Sequence, residues 1–279
     1  MFSGYNVRMR QLSQARHPHH AGSSRLDIVR GRLFHVVLGP LIIFLIVWTI
    51  FTLIPHVSTE ATLSYWTLLA ACGATVLRLA IAYLLAVVCA IPLALLTTVN
   101  KTLESVLLPI FDVLESVPIL AVFPVIILLF INIDFLNGAA VFILFLNMLW
   151  NIVFAIVGGL KVIPRDITDA AHIFGLRGVA YVRRVILPAV FPPLVTGSIL
   201  AVADGWNINI VAEALHTYTP HGSPSQDLFG VGSILVNAAA NAQSGIFLSA
   251  AIVMVAIIAL INFFVWQRLL TYAQKFRFD

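Results

Sequence analysis

Seven side chains sit where a charge or a bare amide is expensive. Arg78, Asn147, Asn151, Asp204, Asn207, Asn209 and Glu213 all fall inside long apolar stretches. A polar or ionisable group in hydrocarbon needs a partner or a water-filled space, so each is a candidate for a solute path or a buried pairing. Arg78 could contact an anion in such a path, or pair with a carboxylate or backbone carbonyls of a neighbouring helix. Asp204 and Glu213 are nine positions apart. At about 100° per residue that is about half a turn of a helix, so they occupy opposite faces. Asp204 shares its face with Asn207, and Glu213 shares the other with Asn209. A helix polar on two sides is wedged between a partner and a water-filled space. Asn147 and Asn151 look one way from a single helix, towards a path or across a helix interface, where an amide bond contributes about 0.6–2 kcal/mol. These six residues, Arg78 aside, are the candidates for a translocation path or its gate.

Soluble-enzyme chemistry finds no footing. The chain has no HExxH, no GxSxG and no GxxxxGK[ST] phosphate loop, so it is not itself a P-loop ATPase. Cys72 and Cys89 lie in one apolar segment without metal-ligand spacing, and read as small apolar residues of a membrane helix. His56, His216 and His221 fall in expected outer loops and read as solvated, while the HPHH run at 17–20 belongs to a polar tail. No metal and no cofactor are expected on this chain. The energy for any work it does must come from another chain or from an ion gradient.

The elements that position these residues follow from composition. Of 279 residues 61% are hydrophobic and 10% charged, which marks an all-α polytopic membrane protein. Residues 1–33 form a polar, basic tail. The membrane domain covers 34–270, with six expected spans at about 34–54, 66–98, 106–133, 138–160, 191–215 and 245–266, and a short basic tail closes the chain at 271–279. The first half of the third span carries Pro109, Asp112, Glu115 and Pro118, and is read as a kinked cytoplasmic lead-in to the apolar run Ile119–Ile131. The stretch 216–243, rich in Gly, Pro, Ser and Asn, reads as an outer loop.

Charge orients the chain. With the amino terminus in the cytoplasm, fifteen of the sixteen basic residues fall on cytoplasmic segments, and Arg78 is the exception within a span. The outer loops hold only acidic charges, Glu60, Asp134 and Asp227. That asymmetry obeys the positive-inside rule, and it accounts for the net charge of +4 without nucleic acid. Both termini and the loop 161–188 are therefore expected in the cytoplasm.

That loop is built for docking. Asp166 or Thr168 can cap a short helix containing Asp169-Ala170-Ala171, Gly175 can end it at a positive φ, and a second helix leads into Leu187-Pro188. The pattern Asp169-Ala170-Ala171, three residues, Gly175, nine residues, Val185-Ile186-Leu187-Pro188 resembles the EAA coupling loop of ABC-importer permeases. Asp169 stands for the family's Glu and Val185 for its Ile. The run Glu115-Ser116-Val117-Pro118 to Pro124, the segment Gly197 to Glu213, and the turn Phe229-Gly230-Val231-Gly232 are similar to the nitrate/sulfonate/taurine/bicarbonate branch.

The resemblance implies a permease subunit of a prokaryotic inner membrane, paired with a second permease domain, expected to be a copy of itself. It implies two ATPase subunits that bind ATP and Mg and dock on Asp169, Ala170, Ala171, Gly175, Leu187 and Pro188. It also implies an external binding protein that delivers a small solute, of anionic type, and it casts Arg78 as a structural charge. An ion-coupled secondary transporter or channel is the alternative. The topology has its own test: cysteines placed at Thr59 or Ser225 are expected to react with impermeant reagents from outside intact cells, and one at Arg177 is not. Labelling at 177 with protection at 225 would overturn the six-span arrangement.

Overall fold

The chain divides into two units, Met1–Val57 and Ser58–Asp279. The computed structural model describes residues 63–98, 100–218 and 227–276, all of the second unit. The expected first span, the amino-terminal tail with its HPHH run, His56, Glu60 and His221 lie outside the described residues.

The described residues are helical, with no strand among them. Helix α1 spans Tyr65–Leu96, α2 Lys101–Ser116, α3 Ile119–Ile131 and α4 Leu136–Lys161. Helix α5 covers Arg165–Ile173, α6 runs without a break from Gly178 to Glu213, α7 is Val231–Ala240, and α8 runs from Ser244 to Phe276. Of these, α1, α4, α6 and α8 are long and apolar enough to cross a membrane, and α2 with α3 would make a fifth, bent span.

Helix α4 is the centre. Leu144, Met148, Ile152 and Ile156 recur every fourth residue along it and are buried. They share a core with an alanine ridge on α1, Ala82, Ala86, Ala90 and Ala94, whose small side chains let two backbones approach. The other flank of α4 meets α6 in the same way. A Cβ on Gly197 would collide with Ala155, one on Gly159 with Pro193, and one on Gly205 with Met148 and Leu79. Outward, α1 presents Leu77, Leu84 and Val88, all more than half exposed, as a surface that acyl chains or another helix can cover.

Two expectations are refined by the structure. The lead-in and the apolar run of the third stretch are separate helices, α2 and α3, which meet at 83° where Pro118 takes an extended conformation (ψ 117°) between them. Asn100 starts α2 by accepting a hydrogen bond from the Leu103 N–H at 2.7 Å, and Phe111 is its one buried residue, packed on Trp150 of α4 at 5.6 Å. Nor is 216–243 simply a loop, since it contains α7, a ten-residue helix held by tertiary contacts that composition does not show. His216, expected to be solvated, is part-buried there with Nδ1 2.7 Å from Asp227, whose other oxygen accepts from Asn237.

The helix spacing generates a test. Gly197→Leu should force α4 and α6 apart and destabilise the fold by about 1–3 kcal/mol, the usual cost of overpacking. Gly73 of α1, with nothing within 4 Å of its would-be Cβ, should accept Leu without loss. Thermal unfolding of both variants in one detergent checks this, and equal melting temperatures would refute the tight interface.

Candidate translocation site and its structural anchor

The seven polar membrane residues separate into two groups. On α6, Asn209 and Glu213 are 1% and 0% exposed, whereas Asp204 and Asn207 on the opposite face are open. The two-faced reading of this helix is what the structure contains, but the face of Glu213 looks onto protein and not onto an open path. Neither amide atom of Asn209 has a hydrogen-bond partner among the described residues.

Glu213 is the hub of a buried network. Arg78 donates from Nη1 to Glu213 Oε1 at 2.7 Å, from Nη2 to the Phe229 carbonyl at 2.9 Å, and from Nε to Asn137 Oδ1 at 2.9 Å. Thr75, one turn back on α1, donates its hydroxyl to Glu213 Oε1 at 2.8 Å and accepts from the Val231 N–H at 3.0 Å. The Gly232 N–H donates to Glu213 Oε2 at 2.7 Å. The carboxylate thus caps α7, whose first N–H groups would otherwise be unsatisfied and whose dipole favours a negative charge. Gly230 has an extended backbone that any residue could adopt. Its requirement is space, because a Cβ there, as at Gly232, would strike the Glu213 carboxylate. Arg78 therefore has a carboxylate and a backbone carbonyl as partners, and its three nitrogens are engaged. Thr75 and Asn137 were missed in the sequence. Their signal was only that they are polar within or at the end of apolar runs, with Thr75 three positions before Arg78.

The second group lines a cavity of about 440 Å³ at the elbow between α2 and α3. Asn147, Trp150 and Asn151 of α4 face it together with Asp204 of α6 and Glu115 at the end of α2. Asn151 donates from Nδ2 to Asp204 Oδ2 at 2.9 Å, so this amide both bridges two helices and lines the space. Asn147 Nδ2 is buried without a partner among the described residues. Asn207 turns its amide back to the Ala203 carbonyl of its own helix at 3.3 Å. A larger cavity, about 670 Å³ between α1, α4 and the end of α3, is walled by Leu77, Ile81, Phe130 and Phe142. Its polar groups, Arg78 and Asn137, are bonded to each other, so it offers a solute mainly apolar surface.

The coupling-loop residues form a separate knob. Helix α5 starts after Pro164 with no side-chain cap. Thr168 Oγ1 instead bonds back to the Arg165 carbonyl, and Asp166 sits in the first turn without capping. The helix ends in a left-handed turn: Gly175 has φ +69°, its N–H reaches the His172 carbonyl at 3.0 Å, and the Leu176 N–H reaches the Ala171 carbonyl at 2.9 Å. The His172 ring stacks on Tyr181 across the turn, at 5.7 Å. Asp169 and Ala170 are exposed, whereas Ala171 is 5% exposed and turned into its own chain. Ile173, Phe174 and Val179 stand more than 80% exposed at the tip. Leu187 and Pro188 begin the membrane part of α6 and are only partly covered.

The anchor predicts a particular pattern of losses. Arg78→Met alone strands a buried carboxylate and Glu213→Met alone a buried guanidinium, and each should cost about 3–5 kcal/mol. The double variant removes both charges and should melt above either single one. Thermal unfolding of the three proteins reads this, and additive losses in the double variant would refute the coupling.

With the geometry in place, comparisons with known proteins give consistent findings. Residues 82–270 match the family described as binding-protein-dependent transport system inner membrane component. A nitrate import permease protein, NrtB, of Leptolyngbya laminosa is 33% identical over 143 residues, 51% of this chain and 50% of the relative. The bicarbonate transport system permease protein CmpB of Synechococcus elongatus is 29% identical over 140 residues, 50% of this chain and 49% of the relative. The chain thus spans about half the length of the curated relatives it matches. An inward-facing structure of the MetNI methionine ABC transporter contains a chain with the same fold, at a TM-score of 0.64 and 17% identity, covering 75% of this chain and 97% of that one. The matched stretch takes in the α2–α3 elbow, the α5 knob, Glu213 and α7, and the chain belongs to the family of binding-protein-dependent transport system inner membrane components.

Proposed function

We propose that this chain is the membrane-spanning subunit of an ABC importer of the nitrate/bicarbonate/sulfonate-like branch, lying in a prokaryotic inner membrane with both termini in the cytoplasm. It pairs with a second copy of itself and receives a small solute from an external binding protein. Two ATPase subunits, which hold the ATP and Mg, dock on the knob around Gly175. The relatives' names specify nitrate and bicarbonate for those proteins, and a small anion is the cargo that the resemblance implies.

One observation carries the reading. The knob exposes Ile173, Phe174 and Val179 to a degree that a self-contained loop would avoid, and a positive-φ glycine fixes their direction. The chain then continues helically from the knob, through a π-helical turn at Val182–Ile186, to Glu213. A partner that grips the knob can therefore move the membrane segment. ATP drives such a cycle only if it binds one arrangement more tightly than the other.

The burial of Ala171 changes which variants test docking. Ala170→Trp on the exposed face should overpack a fitted contact, at about 1–3 kcal/mol, and weaken the complex by roughly tenfold per 1.4 kcal/mol. Phe174→Asp should abolish capture of the ATPase. Ala171→Trp should instead lower the chain's own melting temperature, and Gly175→Val should misdirect the turn because a β-branched residue resists positive φ. Arg177→Ala is the control that retains the partner. The measurement is co-purification of the ATPase followed by its hydrolysis rate. If Ala170→Trp and Phe174→Asp both keep the ATPase at full rate, the importer reading fails.

A further inference from the structure

Where α5, the first turns of α6 and the end of α8 come together, the chain encloses a concave space of about 290 Å³. Two cations line it: Arg184, in the π-helical turn of α6, and Lys275, in the last turn of α8. No carboxylate lines it, and Asp166 and Asp169 of α5 are not among its walls. Among the described residues neither cation has an acidic partner, since the ion pairs there involve Arg78, Lys161 and His216. Lys275 Nζ instead lies over the Tyr272 ring, 5.3 Å from its centroid. Two like charges thus border one space, and a bound anion would relieve their repulsion.

The walls are fixed by packing. Tyr272 and Phe276 of α8 meet Phe191 of α6 edge-on, with ring centroids 5.7 and 5.6 Å away, and meet each other at 5.4 Å. Such edge-to-face contacts hold the end of α8 against α6. Pro188 and the buried Ala189 line the space from the start of the membrane part of α6, and Ile167 lines it from the knob.

Its position selects the occupant. Pro188 lies three residues before the expected start of its span at 191, about 5 Å along a helix. That is the level of the polar head groups, just outside the hydrocarbon. The distribution of basic residues places this end in the cytoplasm, and the cytoplasmic leaflet is the one that carries anionic lipid. The uncharged walls are largely apolar, and further along α8 Phe263 and Phe264 stand more than half exposed, where acyl chains run. An inorganic anion would use only the two cations. A phospholipid uses the cations for its phosphate and the apolar surface for the rest.

We propose that this pocket holds the head group of an anionic phospholipid of the cytoplasmic leaflet, with Arg184 and Lys275 as its charged contacts, and that the bound lipid fastens the knob to the end of α8. The proposal rests on the importer reading only through the cytoplasmic orientation that it shares.

The test uses the full chain, purified in a neutral detergent and given phosphatidylglycerol or phosphatidylcholine. Bound lipid is counted by native mass spectrometry. Phosphatidylglycerol should be retained in preference and should raise the melting temperature. Arg184→Gln combined with Lys275→Gln should lower its affinity by about thirtyfold, roughly fivefold for each basic contact near an anionic head group, and abolish the rise. Arg177→Gln combined with Arg268→Gln removes the same charge outside the pocket and should leave the affinity nearly unchanged. Arg184→Lys with Lys275→Arg keeps both charges and should retain the lipid, which separates loss of charge from loss of fold. Should the double Gln variant fail to fold, each single substitution reads roughly fivefold by itself.

Equal losses in the two neutralised proteins would reduce the effect to diffuse attraction and overturn the proposal. Displacement of the lipid by inorganic phosphate would overturn it too, by marking a site for a soluble anion. If the double Gln variant keeps its phosphatidylglycerol but no longer co-purifies with the ATPase, the pocket is a protein contact and the proposal falls. Lipid is counted on the isolated chain, so a negative result leaves capture of the ATPase by the knob, and with it the importer reading, standing.

Discussion

A guanidinium and a carboxylate, buried together between helices, hold this fold in register. Neither Arg78 nor Glu213 could be accommodated alone at such depth, and each makes the other tolerable. Between them they fasten α1, the start of α4, the end of α6 and the turn before α7. Helix α7 depends on this directly. At ten residues it is too short to be stable by itself, and its N-terminal N–H groups find acceptors in the Glu213 carboxylate and the Thr75 hydroxyl. The two glycines of the turn are the steric counterpart, since only a residue without a Cβ lets the backbone close around the carboxylate.

Helix α6 shows how one segment can carry two polar faces in different surroundings. Its Glu213 face is sealed in the protein and its Asp204 face is open, and the half-turn between them keeps the two from mixing. Polar residues that look alike in the sequence thus have opposite fates. Asn209 is buried, Asn207 folds back on its own carbonyl, and Asp204 reaches across to Asn151. The close approach of α4 to α6 at Gly197 and Gly205 makes that last bond geometrically possible.

Much of this was legible in the residue order. Long apolar runs placed α1, α4 and the start of α8 to within a few residues, although α8 continues to Phe276, past the expected end at 266, and the half-turn offset separated the two faces of α6 without any coordinates. The coupling-loop pattern marked Gly175, whose positive φ is a local property that a single residue type reveals. Less legible were facts that depend on distant partners. Nothing near Arg78 says that its carboxylate lies 135 positions away, and nothing in Asp-Ala-Ala says which alanine turns inward. Helix α7 was hidden because its glycine, serine and asparagine content reads as loop until Glu213 is brought to its first turn. The elbow was read as a kink because a proline signals an interruption but not its angle.

The continuity of α6 has a mechanical consequence. A helix of 36 residues, from the knob to the buried carboxylate, is about 50 Å long at about 1.5 Å per residue. Pivoted near one end, a tilt of about 10° carries the far end about 9 Å, more than the width of a small solute. Because the helix ends in the charged cluster that also holds α1, α4 and α7, such a swing cannot be absorbed at that end alone. It must either carry the adjoining ends of those helices along or break hydrogen bonds that cost several kcal/mol to leave unmade. Those ends are therefore tied to move together, and relative displacement is left to the π-helical turn at Val182–Ile186 and to α2, which buries only Phe111.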